Sequence, residues 1–272
     1  MRLFLRLQIL YLHLESITMK RLKILVTNDD GIQARGINHL INLLLPFGDV
    51  LVVAPAEGQS AMSHAITIKH PLYLKKIHES EGLTKYVCSG TTVDCVKLAL
   101  NAICDEKPDF IFSGINHGTN VAISVLYSGT MAGAIEGYIH GIPSIGISLW
   151  DHSEEADFTA SVHYTKIIFE KLLASGNRDF CLNVNLPKVE LSAIQGIKVC
   201  RQTKSSWVES FEKRTNPGKR DYYWLTGSFN NFEPEATDHD HWALTHNYVS
   251  IVPINIDFTA HNKISGLKML EL

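Results

Sequence analysis

The sequence offers little of what marks the commoner functional classes. Its five cysteines, Cys88, Cys95, Cys104, Cys181 and Cys200, are odd in number and never form a C-x-x-C pair, which argues against a disulfide framework and a thiolate zinc site. They read as small apolar residues of a reducing cytosol. Positive charge is sparse and scattered: the net charge is −3, and the nearest approach to a basic cluster, Lys213-Arg214 with Lys219-Arg220, is broken by Pro217-Gly218. A polymeric nucleic acid is therefore not an expected partner. Neither G-x-G-x-x-G nor G-x-x-x-x-G-K-[ST] occurs, so a dinucleotide cofactor and a P-loop are not indicated, and G-x-S-x-G and H-E-x-x-H are missing too. Long apolar runs are also lacking. The stretch from Leu3 to Leu14 is interrupted by Arg6, is followed by no small-x-small cleavage site and is too short to span a bilayer. Residues 1–18 are read as a non-core N-terminal extension, and the chain as cytoplasmic with no membrane partner.

What is present is an alternation of short apolar runs and helical patterns, with 45% hydrophobic residues in a chain of 272, enough for one large domain with an appendage. Leu22 to Thr27 is short, β-branched and almost uniformly apolar, as a buried parallel strand should be. It ends in Asn28-Asp29-Asp30-Gly31. The C-terminal edge of such a strand is where open α/β sheets place ligands, and paired carboxylates there supply hard oxygen donors for Mg²⁺ or Mn²⁺. The same four residues also make a good turn, and the stretch alone does not decide between the two.

Gly36 to Leu45 has helical apolar spacing and Val50 to Ala54 is a second buried strand, which completes a βαβ unit. The loop from Ala56 to Ser63 must then return to the same sheet edge, where Ser60 is a candidate neighbour of Asp29 and Asp30. Ile66 to Ser89 reads as an antiparallel excursion with strands at Ile66–Ile68, Pro71–Ile77 and Tyr86–Cys88. Pro108 to Phe112 is a third strand, running into Ser113 to Asn120, which reads as a loop whose glycines permit positive φ and whose amides can approach a ligand. His117 is a tempting general base, although a lone histidine is more often structural. Ser128, Gly129 and Thr130 open a helix of small residues, which suits an anion and equally suits a simple cap. Towards the C-terminus, Trp207–Phe211 and Tyr222–Leu225 alternate as an aromatic hairpin that could be a subunit contact or a satellite core.

These motifs together resemble one known family. Asn28-Asp29-Asp30-Gly31, Ala54-Pro55 to Ser60, Gly90-Thr91 with Asp94-Cys95-Val96, Ser113-Gly114-Ile115-Asn116 with Gly118 and Asn120, Tyr127 to Thr130, Leu182 to Asn185 and Tyr248 to Ile251 are similar, in order, to survival protein SurE, the nucleoside monophosphate phosphatase family. The resemblance implies an α/β fold: a Rossmann-like three-layer, mostly parallel sheet over residues 19–186, with a strand-rich oligomerisation part over 187–272. It implies one divalent cation per subunit, Mg²⁺ or Mn²⁺, held by Asp29, Asp30, Ser60 and Asn116. Asp29 or Asp30 would act on the attacking water, and Asn120, Ser128, Gly129 and Thr130 would bind the phosphate. The implied substrates are nucleoside 5′-monophosphates, with 3′-monophosphates as a further class, and the implied assembly is a homodimer or homotetramer. Ala56, Thr92-Val93 and Val252 depart from the family's usual residues without touching an implied ligand, so they bear on substrate preference. Two other readings stay open: a phosphomonoesterase or exopolyphosphatase with another main substrate, and a cation-dependent nucleotide-binding or sensing protein without turnover.

Overall fold

The computed structural model describes residues 21–271. The extension expected over residues 1–18 lies outside the described residues. The strands are β1 (Leu22–Thr27), β2 (Gly48–Pro55), β3 (Leu74–Ser80), β4 (Leu83–Cys88), β5 (Phe110–His117), β6 (Ser144–Leu149), β7 (Cys181–Leu186), β8 (Gly196–Val199), β9 (Ser205–Thr215), β10 (Asp221–Asn231) and β11 (Tyr248–Pro253). Nine of them form one sheet in the order β3-β4-β2-β1-β5-β6-β7-β11-β8, while β9 and β10 pair as a separate antiparallel hairpin. The centre of the sheet is parallel from β4 through β7. Antiparallel pairs occur at β3 and at the β7–β11 junction.

The α-helices are α1 (Arg35–Leu44), α2 (Thr92–Leu98), α3 (Gly129–Ile139), α4 (Thr159–Ser175), α5 (Asp240–Thr245) and α6 (His261–Leu267). Strand side chains alternate between the two faces, and the buried clusters show it directly. Ile24, Val26, Phe110 and Phe112 pack with Leu40 of α1 and Phe169 of α4, whereas Leu25, Val53 and Ile111 pack with Cys95 and Val96 of α2. Phe169 meets Phe110 and Phe112 edge-on with 5.0 Å between centroids. A sheet buried on both faces needs both sets, which is why its central strands are apolar throughout.

The chain leaves β1 for β2 on one side and later returns to β5 on the other. The crevice beyond the ends of β1 and β5 is therefore the topological switch point of the sheet. Two expected elements differ. The stretch after Phe112 does not leave the sheet at once: β5 runs on to His117 with a register shift between Ser113 and Asn116. Gly114, at φ +135°, permits this, because a Cβ there would come within 2.4 Å of the Ile147 carbonyl oxygen. Ile66–Ile68 is not a strand. The Thr67 hydroxyl and N–H donate instead to Asp94 at the start of α2, at 2.6 and 3.0 Å. No helix among the described residues is long and apolar enough to cross a membrane.

Candidate active site

The turn after β1 and the acidic pair are one device. Asn28 is fully buried, its Nδ2 donates to the Gly31 carbonyl at 2.8 Å, and Gly31 takes φ +98°. This clamp carries Asp29 and Asp30 out over the switch point. Asp29 is only 4% exposed, and the Thr130 hydroxyl in the first turn of α3 donates to its Oδ1. Gly129 closes the other side, where a Cβ would lie 2.8 Å from Asp29 Oδ2. Asp30 Oδ2 accepts the His117 N–H at 3.1 Å and lies 3.4 Å from His117 Nδ1.

Burial pushes the Asp29 carboxyl up to about 6; the Thr130 hydrogen bond opposes the rise and the neighbouring Asp30 charge adds to it. Among the described residues neither carboxylate pairs with a lysine or arginine, and His117 is the one basic side chain in ion-pair range of Asp30. A buried acid beside a second acid, with so little protein charge opposing them, is a place that a cation would stabilise. Among the described residues no three His, Cys, Asp or Glu side chains gather around a common point. A cation here would therefore complete its shell with amide and hydroxyl oxygens, a hard-donor set suited to Mg²⁺ or Mn²⁺.

Those oxygens are at hand. Asp29, Ser60, Asn116, Asn120 and Ser128 line one cavity of about 480 Å³. Asn116 Nδ2 donates to the Gly118 carbonyl at 2.7 Å, which leaves Oδ1 as the oxygen it could offer a cation. Ser60 is exposed, in a loop tied to Asp29 by the Gln59 N–H at 2.7 Å from the Asp29 carbonyl. Asn120 is held by a chain of amides: its N–H donates to Asn185 Oδ1 (2.8 Å), its carbonyl accepts from Asn183 Nδ2 (2.7 Å), and its own Nδ2 donates to Ser148 Oγ (2.7 Å). Ser128 Oγ accepts the Met131 N–H at 2.9 Å as the cap of α3, and its hydroxyl proton is left for a ligand. Capping and anion contact are therefore compatible in this residue.

Asp30, Gly129 and Thr130 do not line the cavity. Asp30 sits against His117 at the edge of this space, whereas Gly129 packs on the Asp29 carboxylate and the Thr130 hydroxyl is committed to Asp29, so these last two position Asp29 from behind. His117 does line the cavity, packs edge-on against Phe158 at 5.1 Å, and has a buried Nε2 with no hydrogen-bond partner among the described residues.

Sequence reasoning missed one wall altogether. Trp207 and Glu209 of β9, with Leu225, Thr226 and Gly227 of β10, close the cavity from the far side. Alternation along the hairpin puts Trp207 and Glu209 on one face, but nothing local says that this face turns toward Asp29.

Comparison with known proteins identifies the family. A family model described as Survival protein SurE matches residues 24–209. The protein named 5′-nucleotidase SurE of Flavobacterium psychrophilum is 51% identical over 256 residues, which cover 93% of this chain and 99% of the relative. The protein of the same name from Phocaeicola vulgatus is 46% identical over 250 residues, covering 92% of this chain and 96% of the relative. The crystal structure of the SurE protein from Aquifex aeolicus superposes with a TM-score of 0.78 at 36% identity, covering 92% of this chain and 99% of that one. With its sheet order, its acidic switch point and similarity along nearly its whole length, the chain belongs to the survival protein SurE family.

Proposed function

We propose that the chain is a divalent-cation-dependent phosphatase that hydrolyses nucleoside 5′-monophosphates, and 3′-monophosphates with them, to nucleoside and phosphate. The observation that carries the reading is the buried Asp29 beside Asp30 at the switch point, without a lysine or arginine partner among the described residues. Relatives named 5′-nucleotidase over more than nine-tenths of this chain support the nucleotide phosphatase class.

Asp29, Asp30, Ser60 and Asn116 would hold the cation, which when bound supplies charge neutralisation at a phosphoryl oxygen and acidifies a water. The protein's own part is orientation. Thr130 fixes the rotamer of Asp29, and the His117 N–H anchors Asp30 Oδ2, so that its other oxygen is free to orient or deprotonate the attacking water. The second Nδ2 proton of Asn120 and the Ser128 hydroxyl proton would donate to the phosphoryl oxygens, with the dipole of α3 behind them. Exposed Phe211, Tyr223 and Trp224 on the β9–β10 hairpin support a homo-oligomer, dimer or tetramer, joined through this arm. The free thiols support a cytoplasmic setting.

The test is phosphate release from AMP, GMP, 3′-nucleotides and polyphosphate with Mg²⁺ or Mn²⁺, with and without EDTA. Turnover of the mononucleotides, lost with EDTA and in folded Asp29→Asn and Asp30→Asn proteins, is expected. Faster release from polyphosphate would move the main substrate. Nucleotide binding without release would leave a sensor, and full activity in both variants would overturn the site.

A further inference from the structure

We propose that a second, aromatic pocket adjoining the cavity, walled by Trp150, Trp207, Phe229 and His241, is the subsite for the base of a nucleotide or nucleoside. The inference rests on the phosphatase reading for its direction, since it is the phosphate end that would sit beside Asp29.

The pocket encloses about 210 Å³ and shares Thr119, Ser124 and Trp207 with the cavity that Asp29 lines, so the two spaces meet along one wall. Its walls come from four separate parts of the chain: Trp150 just after β6, and residues of β9, β10 and α5. Phe229 and His241 lie 4.7 Å apart between centroids at 33°, Trp207 meets Phe229 at 5.9 Å and 71°, and Trp150 meets His241 at 6.5 Å and 50°. The Trp207 Nε1–H donates to Ser124 Oγ at 3.3 Å, which pins the ring that divides the two spaces. Yet Trp150 and Trp207 remain 39% and 43% exposed.

Large flat rings that stay partly exposed suit a planar aromatic ligand, because every base offers a π-face and stacking needs no particular hydrogen-bond pattern. One polar handle is present. Among the described residues the ring nitrogens of His241 have no hydrogen-bond partner, while burial and the neighbouring His239 lower its tendency to charge. A neutral imidazole offers one donor and one acceptor to a base edge. Among the described residues no lysine or arginine lines this pocket, so an anionic ligand would lack a fixed counter-charge, and an aliphatic one would waste the stacking rings.

The experiment compares AMP with ribose 5-phosphate, the same phosphoester without a base, in the full-length protein and in Trp150→Ala, Trp150→Phe and Phe229→Leu. The ratio of kcat/KM for AMP to that for ribose 5-phosphate should fall about tenfold or more in Trp150→Ala and Phe229→Leu, mainly through KM, and be largely kept in Trp150→Phe. A ratio within twofold of wild type in both truncated variants overturns the subsite. Trp150→Phe and Phe229→Leu decide the matter if Trp150→Ala does not fold. Adenosine titration, read by tryptophan fluorescence, separates this failure from failure of the phosphatase reading. If neither ester is cleaved, saturable quenching weakened about tenfold in Phe229→Leu still supports the subsite, and its absence in wild type overturns it.

Discussion

Replacing Asp29 by Asn should stabilise the metal-free protein while destroying its chemistry. The carboxyl ionises near 6 in the fold, against 3.8 as its ordinary value, because it is buried. A folded pKa above the unfolded one means that the unfolded chain gives up its proton first as pH rises, so stability falls between about pH 4 and 6. The gap of about two units corresponds to ~3 kcal/mol of strain carried at pH 7. Asn removes the charge and keeps an oxygen for the Thr130 hydroxyl, but it turns the second acceptor into a donor, which returns about 1 kcal/mol as a lost hydrogen bond. The net gain is therefore ~2 kcal/mol, or about 4–8 °C in Tm for a chain of this size. The assay is thermal unfolding of EDTA-treated wild type and Asp29→Asn from pH 4.5 to 8. The two should converge at the acid end and diverge as pH rises. Excess Mn²⁺ should reverse the order, because only wild type gains from binding an ion in its folded state. Parallel pH curves for the two proteins would refute the account of Asp29 as an uncompensated buried charge.

Glu136, on α3, should show the opposite sign. Its burial works to raise the carboxyl, but hydrogen bonds from His64 (2.9 Å) and Lys97 (2.5 Å), the Lys97 charge and a hydrogen bond from His140 (3.1 Å) hold it at about 2. Its folded pKa is below the ordinary 4.5, so its contribution is present above that value and is lost as pH falls toward 2. Glu136→Gln should cost ~2–3 kcal/mol at pH 7 and flatten this part of the acid limb in urea titrations. Gly129→Ala tests the packing against Asp29: the added Cβ meets Asp29 Cβ, Oδ2 and Cγ at 2.7, 2.8 and 3.0 Å. Better helix propensity, ~1 kcal/mol, offsets overpacking of ~1–3 kcal/mol, so Tm should fall only modestly. A displaced carboxylate should still lower kcat about 10–100-fold, and wild-type kcat in this variant would show that the Asp29 position is not constrained.

Much of the fold was legible because local rules and tertiary context agree there. The apolar run of β1, the helical spacing of α1 and the run of β2 can pack only as a buried βαβ unit, and the structure has one. Legibility failed where a distant partner decided. Ile66–Ile68 has strand composition, but its backbone is held by Asp94 rather than by a neighbouring strand. Ser113 to His117 has turn composition, but β6 keeps it in the sheet.

The candidate site divides in the same way. The sequence by itself determined that two adjacent carboxylates follow a buried strand and that a small-residue helix starts with Ser128-Gly129-Thr130, because strand ends, turns and caps are short-range features. Only the tertiary structure decided what those residues do. Thr130, 101 positions along the chain, turns its hydroxyl to Asp29, and Gly129 packs against that carboxylate. The β9–β10 hairpin folds back to wall the cavity. Which residues meet across a crevice is set by strand order and by which face of each element is buried, and a spacing rule that sees only near neighbours contains neither.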